Sequence, residues 1–368
     1  MAALWSVNAT ACAGGGRAGP LRQDPGWSTY LGTARHDASV QERLNPDPRP
    51  LWTADVGRAV RGSPALGETV IAVGVAERTV VLLDRASGHA IWRRRVDGTI
   101  HGGPLLDGDR LYVATEGAGD GHAYAVRLRD GRRLWRYRSG SVAAPLAADG
   151  DGDALYGGTE AGAVFRLDPE SGRQIWKTTL AGAIRAAPVP TAHGLVVATT
   201  SDSLYLLDRA TGAVRQRRGT SGSVLAAPAL DRDRLFLGTT AGSIVAVSLP
   251  DLATAWSHPA GDAVLGSPAL AHDTLCVLAR DGRLWLIPVD APTEARVHAL
   301  DIAAVAGPTP TASGVLVGSV SGEVLLVHPR SGAVLWRAQV PAPVEQPPLA
   351  LDRQVVVVGG RGDIHAYR

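Results

Sequence analysis

Two groups of residues in this chain have types and spacing that chemistry could use. In "DGDGDALYGGTE", Asp149, Asp151 and Asp153 alternate, and Glu160 stands at the twelfth position. A hard cation such as calcium wants several oxygens from one short loop, and this spacing is a weak candidate for supplying them. Against that, the sixth position is Ala154 where such loops turn through glycine, and the matching stretch upstream is the plain hairpin "DGDR". The second group is the phrase "LDPESGRQIWK", with Asp168, Ser171, Gly172 and Trp176 at fixed offsets. An acid beside a hydroxyl and a tryptophan could mark an active site. It could equally mark a turn, since Asp and Ser bond local backbone groups and glycine permits positive φ.

The elements that must position these residues follow from composition and period. The chain has 368 residues, with 44 Gly and 24 Pro spread along it, which suits many short strands and tight turns. A formal charge of +2, with basic residues scattered among acids, gives no reason to expect nucleic acid as a partner. The ten histidines form no zinc-type cluster, and no run of 18 apolar residues is present. Cysteine occurs twice, as Cys12 near the start and Cys276 inside an apolar strand, a usage that does not reveal the compartment.

A small residue followed by proline recurs at Pro64, Pro104, Pro145, Pro188, Pro228, Pro268, Pro308 and Pro348, in steps of 40 to 43 residues. Trp52, Trp92, Trp135, Trp176, Trp256 and Trp336 keep the same beat, while Gln216 and Arg296 fall where two further tryptophans belong. Each unit reads as four short strands separated by glycine turns. One such sheet cannot cover both of its faces, but copies packed radially cover one another. The last unit stops after its third strand at "DIHAYR", and "PLWTADV" around Trp52 is a fourth strand that precedes the first sheet. Joining them predicts an all-β, eight-bladed β-propeller of four-stranded antiparallel blades, closed between its two ends.

The recurrent phrase closely resembles the tryptophan-docking repeat of quinoprotein dehydrogenases and their PQQ-like β-propeller relatives. The likeness covers residues 50–368. It rests on Asp84, Gly88 and Trp92; on Gly131 and Trp135; on Asp168, Gly172 and Trp176; on Asp208 and Gly212; and on Gly332 and Trp336. These are expected to be structural docking residues. Units 5 and 6 depart, since "VSLPDLATAW" lacks the acid and the glycine at the expected offsets and "IPVDAPTEAR" keeps only the strand pattern. Residues 26–49 resemble the lead-in of such propellers, and residues 1–25 read as a leader and flexible tether. Within it, Ala9-Thr10-Ala11-Cys12 resembles a bacterial lipobox, which makes Cys12 a lipidation candidate; Ala9 stands where leucine is usual, and no positive charge precedes it.

An eight-bladed ring behind such a cysteine is most similar to the BamB family of outer-membrane assembly lipoproteins. That resemblance implies an exported, monomeric, non-catalytic scaffold at the periplasmic face of the outer membrane. It implies no cofactor, membrane contact only through the anchor, and a β-barrel insertase as protein partner. Alternatives are an exported sensor or ligand-binding propeller, and a PQQ-dependent dehydrogenase. The dehydrogenase reading lacks the adjacent cysteine pair and the haem motif that the resemblance would bring.

Overall fold

The computed structural model describes residues 43–117, 120–150 and 152–368. The leader, Cys12, Asp151 and residues 26–42 of the lead-in lie outside the described residues.

Eight four-stranded antiparallel sheets make up the described residues, and seven of them use four consecutive strands. The exception is the eighth, in which strand Pro50–Asp55 pairs with Asp363–Tyr367. Trp52 sits opposite Ala366, and Arg49 and Arg368 exchange backbone hydrogen bonds of 3.0 and 2.8 Å beyond it. The first and last described strands thus share a sheet, and the eight-bladed propeller closes on itself.

Within each blade the sequence records the depth of every strand. The second strand of blade 1, Val70–Val75, is buried along its whole length because other blades cover both of its faces. Its outer strand, Ala90–Arg95, buries only Trp92. The core is accordingly divided. Each of eight apolar clusters joins facing sheets of neighbouring blades, as where Tyr156, Val164 and Trp176 of blade 3 meet Leu195, Val197 and Leu207 of blade 4. Stability in this molecule resides at the seams.

Candidate functional site

The seams come first, because they hold the recurrent phrase. Gly172 has φ +69°, and a Cβ there would lie 2.5 Å from Trp135 Cδ2. Only glycine can take that conformation and leave the indole room to lie against the peptide. Gly88, Gly131 and Gly212 meet Trp52, Trp92 and Trp176 in the same way. Each indole N–H donates to the carbonyl three residues before that glycine: Trp52 to Arg85 (3.0 Å), Trp92 to Leu128 (2.7 Å), Trp135 to Pro169 (2.9 Å) and Trp176 to Arg209 (2.9 Å).

Where the phrase decays, other groups take over. Trp256 donates to Val289, and Trp336 donates to Pro48, a residue of the N-terminal approach that stands in for a turn the last blade lacks. Arg296 occupies the tryptophan register opposite Leu286, yet His298, two residues on, lies against Gly332. Its Nε2 is 2.9 Å from the Pro329 carbonyl, which can only accept, so Nε2 carries the proton. Gln216 is exposed, and among the described residues its seam alone has no such ring N–H bond. Sequence offsets show the missing tryptophans; they do not show His298 or Pro48, which reach the slot from other positions.

The acids of the phrase organise their own turns. Asp168 Oδ1 accepts from the Ser171 amide at 2.8 Å and its hydroxyl at 2.7 Å, and this hydroxyl chiefly holds the carboxyl below its ordinary range. Asp84 Oδ1 likewise accepts from the Ser87 amide at 2.9 Å and hydroxyl at 2.6 Å, and His328 Nδ1 replaces the carboxylate before Ser331. Asp208 accepts from the Thr211 amide and hydroxyl and pairs with Arg215; led by the amide bond, these move its pKa from 3.8 to about 2. A lowered folded-state value means that the turn contributes stability above 3.8 that is lost as pH falls towards about 2. Denaturation midpoints of wild type and Asp208→Asn should therefore differ at neutral pH and converge through that window. Curves that stay parallel would contradict this role.

The acidic loop is divided by the fold. Asp149 is almost wholly buried, and its Oδ1 accepts from the amides of Asp153 (2.9 Å) and Ala154 (3.2 Å). Its Oδ2 accepts from Arg209 at 2.7 Å, across the seam to blade 4. Strand Leu155–Gly158, about 13 Å long at about 3.3 Å per residue, then separates Asp153 from Glu160. Glu160 bonds Arg185 instead, at 3.2 Å. Asp151 lies outside the described residues. Among those described, no group of three or more His, Cys, Asp or Glu is placed to hold a metal ion.

Arg185 belongs to the site that the repeats surround. Just before each inner strand, one buried aliphatic residue is followed by one that faces the propeller axis, as Ile184 is followed by Arg185. These second residues meet around a cavity of about 210 Å³ at the axial mouth. Blades 8, 1, 2 and 4 contribute Glu345, Arg61, His101 and Arg185, while blade 3 gives Ala143. Blades 5, 6 and 7 contribute Leu225, Leu265 and Val305. The mouth is thus charged on one arc and apolar on the other. Gly62 lets the loops converge there, since a Cβ would lie 2.4 Å from the Gly103 amide nitrogen.

His101 Nδ1 is 2.8 Å from Glu116, and Gln346 donates to the Arg61 carbonyl, so backbone and side chains are held in place. Among the described lining residues there is no hydroxyl or thiol to act as a nucleophile. A quinone cofactor held through calcium would need several oxygen ligands at the axis, and Glu345 is the one carboxylate of this lining. The residues present do not fit that group. They suit a docking surface that is half electrostatic and half apolar.

Comparison with known proteins follows the same line. A family model described as outer membrane protein assembly factor BamB matches residues 36–187, 160–302 and 284–368. An outer membrane protein assembly factor BamB of Nitrosomonas eutropha is 28% identical over 138 residues, which span 36% of this chain and 32% of that relative. The matched stretch therefore spans about a third of the relative's length. The crystal structure of BamB from Moraxella catarrhalis superposes with a TM-score of 0.73 at 16% identity, over 87% of this chain and 99% of that one. Quinohemoprotein alcohol dehydrogenase from Comamonas testosteroni gives a TM-score of 0.76 at 14% identity, over 93% and 80%. At those identities the two structures speak for the fold alone.

Proposed function

The chain belongs to the outer membrane protein assembly factor BamB family, and from that premise we propose that it is a non-catalytic scaffold for the assembly of outer-membrane β-barrel proteins. In this reading it is exported, tethered through Cys12, and docks a periplasmic part of the barrel insertase at its axial mouth. The observation that carries the reading is the mouth itself. At one position per blade the ring carries two arginines, a histidine, an alanine, two leucines, a valine and a glutamate, which line shared space. Arg61 and Arg185 offer charge for orientation, and Leu225, Leu265 and Val305 offer area to be desolvated.

Deleting the encoding gene tests the role in the cell. The outer membrane of the deletion strain should hold less folded β-barrel protein, and the wild-type copy should restore it. Unchanged barrel content in the deletion strain would contradict the proposal.

A further inference from the structure

Blades 2, 3 and 5 share an aromatic pair at their outer seams. Tyr112, Tyr156 or Phe236 on the second strand tilts against Trp135, Trp176 or Trp256 on the outer strand, with ring centroids 5.9, 6.2 and 5.8 Å apart. In blade 6 both members are replaced. Cys276 stands opposite Ala269 as Tyr156 stands opposite Ala147, and Arg296 takes the tryptophan register.

Blade 4 also lacks the pair, having Val196 and Gln216 in those positions. There the slot is filled from the far side. The blade 5 turn brings Leu249 and Leu252 into the cluster that contains Val196, and Leu252 is fully buried. Blade 7 faces blade 6 with the ordinary glycine turn, which His298 covers. A cavity of about 380 Å³ is left between these two blades. That is within the size range of small-molecule sites, which begins at about 300 Å³.

The cavity has an apolar floor and a charged rim. Cys276, Leu286 and Val315 are buried in its wall, and burial pushes the Cys276 thiol up to about 12, so the floor is neutral at physiological pH. Arg296, Arg330 and Glu294 are exposed around it, and among the described residues neither arginine has an ion-pair partner. Two cations against one carboxylate leave the rim net positive.

We propose that the slot between blades 6 and 7 binds a flat apolar acid, an aryl or indolyl carboxylate whose ring lies in the cavity left beside His298 and whose carboxylate meets Arg296 and Arg330. Guanidinium groups suit this task because they present paired donors to a carboxylate. The inference stands apart from the docking role of the mouth, since it concerns one outer seam.

Indole-3-propionate and its neutral amide, titrated into the full chain and followed by ligand-observed NMR, test it. The acid should bind saturably, about tenfold more tightly than the amide. Arg296→Gln with Arg330→Gln leaves the slot open and should remove that preference. Cys276→Tyr combined with Arg296→Trp, and with His298→Thr to vacate the glycine turn, restores the pair found in blades 2 and 3; it should abolish binding. No saturable binding to the wild type up to roughly 10 mM, equal affinities for acid and amide, or binding that survives the filled slot would each overturn the proposal. If the filled variant fails to fold, the variant with both arginines replaced decides: a preference that persists there overturns it.

Discussion

Replacing Trp135 with alanine should lower the free energy of unfolding by about 3–5 kcal/mol, the range for deleting a buried tryptophan. Trp135 is 8% exposed, lies against Gly172, donates its N–H to Pro169 and tilts against Tyr112. Its removal empties a slot between two hydrogen-bonded sheets, which cannot collapse as a loose side-chain cluster could. The Pro169 carbonyl also loses the indole donor, keeping Arg110 Nη1 at 3.1 Å and the Tyr112 hydroxyl at 3.4 Å. Urea denaturation at a fixed pH measures the effect. Trp135→Phe keeps most of the burial and loses the N–H, so its loss should be a fraction of that for alanine. A loss below about 1 kcal/mol for alanine would mean that the seams are not where stability resides.

Reversing both charges on the mouth, in Arg61→Glu with Arg185→Glu, should weaken insertase binding by about a hundredfold while leaving the fold intact. Both side chains are exposed, so the direct cost to stability is small. Arg185 does hold Glu160, with fractional exposures of 55% and 28%, and that pair is solvated enough for its loss to be tolerated. The partner would instead meet like charge where it had met opposite charge, with no change in the apolar arc of Leu225, Leu265 and Val305. Circular dichroism and the melting temperature serve as controls. Unaltered affinity in a folded double variant would place docking elsewhere on the ring.

Much of the architecture was legible because packing imposes a period. Proline and tryptophan recur every 40 to 43 residues since every blade must offer its neighbour the same face. The pairing of the strand around Trp52 with "DIHAYR" was legible for the same reason. The replacements were not. His298 acts from two positions beyond the expected one, Leu252 fills its slot from the adjoining blade, and Pro48 comes from the opposite end of the chain. Sequence distance misleads in the other direction at the acidic loop, where the twelve-residue spacing from Asp149 to Glu160 looks compact, yet a strand lies between them. The mouth leaves only a faint trace in the sequence, as a position before each proline that is Arg, His or Glu in some blades and Ala, Leu or Val in others. Its division into a charged and an apolar arc needs the ring to be closed before it can be seen.

We propose that this propeller docks an assembly partner through its axial mouth and performs no chemistry there. Titrating the purified wild-type propeller with the periplasmic portion of the β-barrel insertase from the same organism tests it most directly. Saturable one-to-one binding, strongly weakened by the double reversal at Arg61 and Arg185, is the result predicted. Absence of binding to the wild type, or equal binding by both proteins, would contradict the account.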